Sequence, residues 1–362
     1  MKIAHLINSM HTGGAENLIA ESVPVFKNQG ALVDVILLNG IETPFLAKLQ
    51  TTNCTIVSLS KNSVYNPFLI FKILPLLKKY DVVHVHLFPA LYWVAIAKLI
   101  SFSKVKLVFT EHNTTNKRLS NKFYLQFDNF IYRFYNKVIA ISTTIESIIN
   151  RKIPNTKGKT SVITNGINLQ AVRTHPILQV KDIYHIATIS TKFITQIAGF
   201  RLQKDQKTVI KAMTFLPIDM VLLLVGDGAE RQSCELLAKE LNVDERVVFL
   251  GNRSDVGSIL QLSSVIVLSS HYEGVSLSSI EGMASGKPFI ASAVPGLKEV
   301  VQGAGLLFPA GDAKALAEQI IKLHNNADFY NQTVQNCLKR AAEFDIETMV
   351  QKQIELYKKV LL

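Results

Sequence analysis

The sequence predicts an α/β protein with two doubly wound domains, each a parallel sheet covered by helices on both faces. Short apolar runs rich in β-branched residues alternate with longer helical patterns from end to end. The runs fall into two successive series, and 362 residues with 48% apolar content are sufficient for two hydrophobic cores. Because the runs are apolar throughout and separated by helices, they are typical of parallel sheets buried on both faces.

Each series of apolar runs predicts the strands of one domain. The first series places strands at 2–7, 33–38, 55–58, 82–86, 107–110, 138–141 and 161–163, and the second at 193–200, 221–225, 247–250, 265–268 and 289–291. The boundary is predicted within 169–181, which contains Pro176 and little periodicity. The predicted domains are therefore 1–170 and 182–344, followed by a helix over 345–362. Doubly wound sheets bind ligands at the carboxyl ends of their strands, so we expect the site in a cleft between the domains.

Composition argues against several classes of protein. The first eight residues turn polar too early for a signal peptide, and the apolar stretches 68–77 and 91–100 are too short and too interrupted to span a bilayer. Cys54, Cys234 and Cys337 are isolated in sequence, which favours neither a disulfide framework nor a zinc site. We expect a cytoplasmic protein that is not integral to a membrane.

The net charge of +11 is concentrated in the first half of the chain. Residues 1–175 contain 20 Lys and Arg against 8 Asp and Glu, whereas the remainder contains 19 against 20. Such asymmetry favours an anionic partner, either phospholipid headgroups or a diphosphate-bearing lipid. Nucleic acid is disfavoured because none of the usual binding modules is visible.

The segment 117–137 mixes basic and aromatic residues and is the predicted membrane-surface segment. Its rings also recur at helical spacing, which suits an ordinary helix packed on its own sheet. The second interpretation is favoured for the rings, with the flanking Lys and Arg left to meet a membrane. The rings concerned are Phe123, Phe127, Phe130 and Phe134.

Glu273 and Glu281 follow the apolar run 265–268 in a pattern of strand, loop and helix start. A helix that opens near Ser276 would direct the unpaired amides of Val275, Ser276 and Leu277 at one spot, where the helix dipole favours an anion such as phosphate. Glu273 would lie in the loop before that spot and Glu281 about one turn inside the helix. The two carboxylates can then flank one extended ligand, although the pair alone is also typical of solvated helix-surface residues.

The flanking sequence makes the pattern more specific. Glu273-Gly274 precedes the predicted helix, and Gly-Met-Ala-Ser-Gly-Lys-Pro follows Glu281. This stretch resembles the E-x7-E segment of retaining glycosyltransferases of the GT-B architecture, which has two facing Rossmann-like domains, and most closely those of glycosyltransferase family 4. The resemblance implies that Glu273 lies by the donor sugar, that Glu281 accepts hydrogen bonds from the ribose hydroxyls, and that 274–277 bind the donor. It also implies that the last helix crosses back to the first domain.

Two elements of the first half resemble the same family. Gly13-Gly14-Ala15-Glu16 follows the first predicted strand and resembles the loop that approaches the donor phosphates and the acceptor. A purely structural strand-to-helix turn is the alternative. Thr110-Glu111-His112-Asn113 resembles the element whose histidine lines the donor sugar, so His112 is predicted to bond a sugar hydroxyl or orient the acceptor.

His84 and His86 share one face of the predicted strand 82–86. We interpret both as structural histidines with satisfied hydrogen bonds. His86 is the better site candidate because it is nearer the strand end. A metal site is less favoured because no carboxylate lies beside them in sequence.

The second half contains a basic loop and two turns that resemble donor-binding loops of the family. Arg201 and Lys204 resemble the Arg and Lys that neutralise the departing diphosphate, but they are three residues apart where the family has five. Lys204 matches, whereas Arg201 either fills the role from a shifted backbone or faces solvent. The turns at Gly226 and at Asn252-Arg253 resemble loops around the nucleotide and its base.

The chain contains no Asp-x-Asp, the carboxylate pair that metal-dependent glycosyltransferases use. We therefore expect a metal-independent, cofactor-free enzyme. The predicted function is retaining transfer from a nucleoside diphosphate sugar, most often UDP in this family, to a glycan or polyprenyl-diphosphate-linked acceptor in surface polysaccharide or glycolipid synthesis. The expected location is peripheral, at the inner face of the plasma membrane. The alternatives are a nucleotide-sugar epimerase of the same architecture and a non-catalytic glycan-binding scaffold.

Overall fold

The computed structural model describes residues 1–11, 13–112, 121–174, 176, 178–253, 255–273 and 276–362. It divides into two compact units, Met1–Gly166 with Ile346–Leu362, and Ile167–Asp345. The boundary therefore lies before the predicted segment 169–181. Ile167 and Val172 are buried in a core of the second unit, which explains why that segment groups with it.

The first unit contains a seven-stranded parallel sheet in the order β3-β2-β1-β4-β5-β6-β7. Its strands are β1 (Lys2–Ile7), β2 (Leu32–Leu37), β3 (Ile56–Ser58), β4 (Val82–His86), β5 (Lys106–Glu111), β6 (Lys137–Ala140) and β7 (Thr160–Val162). Its helices are α1 (Gly14–Asn28), α2 (Pro44–Gln50), α3 (Leu69–Leu77), α4 (Ala90–Ser101), α5 (Lys122–Tyr132), α6 (Thr143–Lys152) and, at the end of the chain, α16 (Ile346–Leu361). The order reverses between β1 and β4, as in a doubly wound sheet.

The second unit contains a six-stranded parallel sheet in the order β10-β9-β8-β11-β12-β13. Its strands are β8 (Lys192–Ile197), β9 (Met220–Val225), β10 (Val247–Gly251), β11 (Val265–Leu268), β12 (Phe289–Ser292) and β13 (Leu306–Phe308). Its helices are α7 (Leu169–Arg173), α8 (Val180–Ile183), α9 (Gln206–Ala212), α10 (Arg231–Glu240), α11 (Val256–Leu262), α12 (Leu277–Ala284), α13 (Leu297–Val301), α14 (Ala313–Asn325) and α15 (Ala327–Ala342). Both sheets are parallel and apolar, which confirms the predicted fold class.

Two strand predictions differ from the structure. The strand predicted over 193–200 ends at Ile197, because Gly199 and Phe200 turn away and the Phe200 amide donates to the Asp227 carbonyl at 3.0 Å. The sequence analysis missed β13, which has three residues and, in the described part of the chain, pairs with β12 alone. A strand this short between glycines carries little periodic signal.

Helix α16 packs on the first unit, where Met349, Val350 and Tyr357 join the core around α1. The rings of Phe26 and Tyr357 stack with centroids 6.2 Å apart. Within the described residues, no helix combines the length and apolarity needed to cross a bilayer.

The ring packing predicted for the segment 117–137 is wrong for Phe127 and Phe130. Phe127 and Phe130 are 37% and 42% exposed. The buried side of α5 and the turn after it consists of Asp128, Ile131, Tyr132 and Tyr135. Hydrogen bonds of hydroxyl groups explain why this side of α5 is buried. Tyr135 donates to the Leu91 carbonyl at 2.8 Å, and Tyr92 donates to Asp128. Phe134 is half-buried, whereas residues 117–120 and the Phe123 side chain lie outside the described part of the chain.

Candidate functional site

In the second unit the strand order reverses at β8 and β11, which lie side by side while their connections lead in opposite directions. Doubly wound sheets bind ligands at such a point, outside the carboxyl ends of the strands. The loops that flank it are 198–205, after β8, and 269–273, after β11. Both contain residues that the sequence analysis selected.

Several hydrogen bonds join these two loops. The His271 amide donates to the Gln203 carbonyl at 2.8 Å, and the Gln203 side chain donates to the Tyr272 carbonyl at 2.7 Å. The Ser269 hydroxyl lies 3.1 Å from the Lys204 carbonyl and 2.8 Å from that of Asp205. The loops therefore form one supported platform, so groups that project from it keep their relative positions.

Lys204 and Glu273 meet on this platform. The Lys204 ammonium donates to Oε1 of Glu273, and the Ser270 hydroxyl donates to the same oxygen at 2.6 Å. The Glu273 side chain is 7% exposed and that of Lys204 is 19% exposed. Charges withdrawn from water to this degree are stable only when paired and hydrogen-bonded. The structure thus brings Lys204 and Glu273, both predicted as site residues, into direct contact as an ion pair.

Arg201 lies close by on the same loop but differs in environment. It precedes the short 3₁₀ helix Leu202–Lys204 with an extended backbone, and it is exposed. Its guanidinium faces solvent at the edge of the platform, where it can reorient toward an arriving anion. Whether it takes the role of the family arginine stays a prediction.

Helix α12 begins at Leu277 with Ser276 as its N-cap, close to the predicted start. The Ser276 side chain forms no capping bond to the helix backbone and instead lies 2.9 Å from the Ser278 hydroxyl. The first turn therefore lacks a side-chain cap, a state in which its amides can serve an anion. Glu281 is half-buried at the fifth helical position. Gly274 and Val275, which the sequence analysis placed in the donor site, lie outside the described residues.

Packing explains the glycines around α12 and the neighbouring loop. A Cβ on Gly282 would lie 2.6 Å from the Phe289 ring, so glycine lets α12 approach β12 closely. Gly226 has φ +133°, and a Cβ there would lie 2.3 Å from the Ala198 carbonyl oxygen. This gives Gly226 a structural reason to be glycine, while contact with a donor remains a prediction.

Asn252 and Arg253 are exposed in the loop after β10. The Arg253 guanidinium makes two hydrogen bonds to Asp255, of 2.8 and 2.6 Å, and this pairing lowers the pKa of the Asp255 carboxyl. The charge of Arg253 is therefore compensated within its own loop. A role against the nucleotide would have to use its flat face or its backbone.

In the first unit the corresponding point lies between β1 and β4. The Asn8 side chain joins the two loops, donating to the Phe88 carbonyl at 2.8 Å and accepting from the Ala90 amide at 3.3 Å. Gly13 is the N-cap of α1 and Gly14 its first residue, so the predicted glycine loop opens a helix at this edge. Burial is the main cause that raises the pKa of the nearby Glu16 carboxyl.

His112 follows β5 and lies at the open end of a row of three imidazoles. Its Nε2 lies 3.2 Å from Nδ1 of His86, and Nε2 of His86 lies 3.0 Å from Nδ1 of His5. Burial lowers the pKa of His112 to about 4 and that of His5 to about 3. Burial also lowers the pKa of His86 well below its ordinary value. All three rings are therefore neutral near pH 7 and act through hydrogen bonds rather than charge.

His84 shares β4 with His86 but bonds elsewhere. Its Nδ1 lies 2.5 Å from the Tyr357 hydroxyl and its Nε2 lies 2.7 Å from that of Thr110. Nitrogens of His5, His84 and His86 come within 4.8 Å of one another, as in a potential metal site. Because both nitrogens of His84 already have hydroxyl partners, an ion would have to displace one of them.

Sequence reasoning missed His5 and Ser270. His5 stands opposite His84 in the register of β1 and β4, a pairing visible only once the strand order is known. Ser269 and Ser270 directly follow β11, and Ser270 lies three residues before Glu273. Two hydroxyls this close to a carboxylate in sequence were the signal for a hydrogen bond to it.

A cavity of about 270 Å³ lies at the opposite, amino edge of the second sheet. Lys192, Met220, His324 and Tyr330 are among its lining residues. The Tyr330 hydroxyl donates to the Ser264 carbonyl at 3.0 Å. This cavity is separate from the loops that hold Lys204 and Glu273, because those loops follow the carboxyl ends of the strands.

Two family models match the chain. The family model for glycosyltransferase family 4 matches residues 12–171, and that for glycosyl transferases group 1 matches 188–340. The chain belongs to glycosyltransferase family 4 and is a glycosyltransferase with the GT-B fold.

Similar proteins give the same result. The Bacillus anthracis protein named N-acetyl-alpha-D-glucosaminyl L-malate synthase is 30% identical over 78% of this chain and 75% of its own length. The Escherichia coli UDP-Gal:alpha-D-GlcNAc-diphosphoundecaprenol alpha-1,3-galactosyltransferase is 24% identical over 99% of this chain and 96% of its own. The solved structure of Anabaena Alr3699/HepE in complex with UDP-glucose has a TM-score of 0.85 at 23% identity, covering 99% of this chain and all of that chain. The last likeness supports the fold.

Proposed function

We propose that this glycosyltransferase moves a sugar from a UDP-sugar to a hydroxyl of a lipid-linked glycan acceptor, with retained anomeric configuration and without a metal ion. The observation that carries the proposal is the Lys204–Glu273 pair at the point where the strand order reverses. A cation and a carboxylate held there by two joined loops match the needs of a diphosphate and of the sugar attached to it.

The choice of UDP and of a lipid-linked acceptor draws on the similar proteins. The Escherichia coli relative is named for UDP-Gal and a diphosphoundecaprenol-linked acceptor, and the Anabaena structure contains UDP-glucose. The Bacillus anthracis relative is named as a synthase of N-acetyl-alpha-D-glucosaminyl L-malate, a conjugate of the small hydroxy acid malate. A small acid acceptor is therefore the competing outcome when acceptors are tested.

Lys204 supplies the main electrostatic contribution in this proposal. When the diphosphate arrives, the ammonium exchanges its Glu273 partner for phosphate oxygens, and the first-turn amides of α12 add further donors. Negative charge grows on the phosphate oxygen as the bond from the anomeric carbon breaks. Hydrogen-bond donors that are already in place stabilise that charge without rearranging. Such preorganised stabilisation commonly contributes more to catalysis than any other single effect.

The remaining groups orient the reactants. Glu273 lies by the sugar once Lys204 has moved to the phosphate, and Glu281 accepts from the ribose hydroxyls. The acceptor oxygen bonds to the anomeric carbon on the face from which the diphosphate leaves. The hydroxyl proton passes to the departing phosphate oxygen, so every proton and electron pair is accounted for. His112, neutral near pH 7, contributes a hydrogen bond to the sugar.

The donor half of the proposal is tested by calorimetric titration of UDP, GDP, ADP and NAD into metal-free protein. We expect UDP to bind selectively and Glu281→Ala to weaken binding at least tenfold, because two charge-assisted bonds to the ribose are lost. Glu240→Ala, at an exposed position at the end of α10, is the matched control and should bind UDP as the wild type does. Binding of NAD alone, or of none of the four, would exclude the proposed donor.

The acceptor half of the proposal rests on charge and on exposed rings of the first unit. This unit contains 22 Lys and Arg against 10 Asp and Glu. Four exposed rings lie in the segment before α3 and in the first half of α5, and we call them the aromatic rim: Tyr65, Phe68, Tyr124 and Phe127. Exposed aromatic rings in a strongly basic unit suit an anionic membrane surface.

Ring contacts link the two parts of the aromatic rim. The Tyr65 ring lies 6.1 Å from Phe88, Phe88 lies 5.0 Å from Tyr92, and Tyr92 lies 4.9 Å from Phe127. Phe88 lies two residues after β4 and Tyr92 lies in the first turn of α4, so the linking rings are near the carboxyl edge of the sheet. The rim is therefore connected to the carboxyl edge of the first sheet, the edge at which His112 follows β5 and at which we propose that a membrane-borne acceptor is presented.

We expect the protein to bind anionic phosphatidylglycerol vesicles at low salt and to leave them as salt increases. The double variant Tyr65→Ser/Phe127→Ser should bind about tenfold more weakly, because two rings no longer enter the interface. Co-sedimentation with vesicles measures both effects. Phe215→Ser, which removes a ring that is 52% exposed in the second unit, is the matched control. Equal binding by the double variant, or no binding at low salt, would contradict a membrane role for the rim.

A further inference from the structure

The row of imidazoles that ends at His112 extends through three elements of the first sheet. His5 belongs to β1, His86 to β4, and His112 directly follows β5. These strands are adjacent, with His5 opposite His84 and His86 opposite Thr110. His5 and His86 are 1% and 3% exposed, whereas His112 is half-buried. The row therefore leads from the buried centre of the sheet to its carboxyl edge.

Each neutral imidazole has one N–H and one bare nitrogen, so the bonds within the row are coupled. Two hydrogen bonds join three rings, and one nitrogen is left over at each end, Nε2 of His5 and Nδ1 of His112. The protons can be arranged in only two ways without breaking a bond. Either every ring has its proton on Nδ1, or every ring has it on Nε2.

The buried end of the row decides between the two arrangements. Nε2 of His5 has no hydrogen-bond partner within the described residues. It lies in the apolar core, with the Phe26 ring 5.0 Å from the His5 ring. An orphaned N–H is rarer in protein interiors than an orphaned acceptor, so the bare nitrogen belongs at this end. The His5 proton is then on Nδ1, and the same follows for His86 and His112.

We propose that His5 and His86 are positioning residues that fix His112 as the Nδ1–H tautomer, so that it meets its ligand as a hydrogen-bond donor. His5 donates to His86, His86 donates to Nε2 of His112, and Nδ1–H of His112 remains for an oxygen at the edge of the sheet. The inference rests on the proposed function in one respect, since the ligand oxygen is taken to be a hydroxyl of the donor sugar. Because His112 then presents an N–H rather than a bare nitrogen, it does not take the proton of the acceptor hydroxyl. That proton is left to the departing phosphate oxygen.

Two substitutions of His86 separate the bond to His112 from the bond to His5. In His86→Asn the side-chain amide occupies the place of Nδ1 and still donates to His112. In His86→Gln it reaches the place of Nε2, toward His5, and the donor to His112 is lost. His84→Gln is the matched control, because His84 is equally buried on the same strand but bonds to Tyr357 and Thr110.

Long-range proton–nitrogen spectra of protein labelled with ¹⁵N in histidine report the tautomers without any substrate. We expect Nδ1 of His112 to be protonated in the wild type, in His86→Asn and in His84→Gln, and the Nε2–H tautomer to appear in His86→Gln. A wild-type His112 protonated on Nε2, or one unchanged in His86→Gln, would overturn the proposal.

Kinetics provide the second readout. In UDP release from UDP-glucose with membrane lipid extract, we expect His86→Gln to lower kcat/KM about tenfold, while His86→Asn stays within about threefold of the wild type. Equal losses in His86→Gln and His84→Gln would reduce His86 to a purely structural role and overturn the proposal. UDP binding by calorimetry should be the same in all three variants, so failure of the donor site is distinguished from failure of the histidine row.

Discussion

Replacement of Lys204 by Ala is expected to lower kcat/KM for sugar transfer by about 10²- to 10³-fold, the usual cost of removing one preorganised donor at a developing negative charge. The reason is geometric, since Lys204 is held beside Glu273 at the carboxyl edge of the second sheet. Most of the loss should appear in kcat, because the charge that Lys204 meets is larger in the transition state than in the bound donor. Initial rates of UDP release measure it.

The same substitution should also destabilise the fold. Among the described residues, the Ser270 hydroxyl is then the remaining hydrogen-bond partner of the Glu273 Oε1, although the Glu273 side chain is 7% exposed. Breaking a buried ion pair by removing one partner costs about 3–5 kcal/mol, and the 19% exposure of Lys204 places this pair toward the lower end. The double variant Lys204→Met/Glu273→Gln should recover part of that stability without recovering activity. Urea unfolding gives the stability of each variant.

Lys207→Ala is the matched control for Lys204. Lys207 pairs with Glu230 at 3.1 Å, and its side chain is 40% exposed, so solvent screens the pair and it contributes little to stability. We expect activity and stability within a small factor of the wild type. If Lys204→Ala kept wild-type activity, or if Lys207→Ala lost as much, the assignment of Lys204 to the leaving diphosphate would be wrong.

Acid is expected to destabilise this protein well above the pH at which carboxylates titrate. Burial lowers the pKa of His5 to about 3 and of His112 to about 4, and lowers those of His84 and His86 well below their ordinary value. In the unfolded chain these groups titrate near pH 6.5. Because the folded pKa values are depressed, the unfolded state binds more protons below that pH. The stabilisation is therefore complete above about pH 6.5 and is lost as the pH falls toward 4.

The magnitude follows from the number of protons. Each such histidine lowers the free energy of unfolding by about 1.4 kcal/mol for each pH unit within this window. Four of them can remove most of an ordinary domain stability of about 5–15 kcal/mol before pH 4.5. Urea unfolding at pH 7.5, 6.0 and 5.0 measures how steeply the free energy of unfolding depends on pH. In His86→Asn this dependence should correspond to about one proton fewer. The exposed His185→Gln serves as the control. A stability that stays constant between pH 7.5 and 5.0 would show that these imidazoles are not held neutral.

The sequence was sufficient where local chemistry determines structure. The apolar runs predicted the two parallel sheets. The sequence around Glu273 predicted a loop followed by a helix that begins near Ser276, which is where α12 begins. It was insufficient where distant residues decide the environment. The Lys204–Glu273 contact depends on the adjacency of β8 and β11, and the row from His5 to His112 depends on the adjacency of β1, β4 and β5.

The rings of α5 illustrate the other limit. Periodicity alone placed Phe127 and Phe130 in the core, whereas the structure buries Tyr132 and Tyr135. A tyrosine is buried readily only where a partner for its hydroxyl exists, and the Leu91 carbonyl that serves Tyr135 is 44 residues away in sequence. Helical spacing cannot reveal such a partner, so it cannot decide which aromatic stripe faces inward.

The anomeric configuration of the product tests the central claim most directly. Metal-free protein is incubated with α-configured UDP-sugars and a membrane lipid extract, and the product is examined by mass spectrometry and by proton NMR of the new linkage. We expect one sugar to be added to a lipid-linked acceptor through an α linkage, with release of UDP. A β linkage, a requirement for added metal, or conversion of the UDP-sugar to its epimer with no mass added to any acceptor would contradict a retaining, metal-independent transferase.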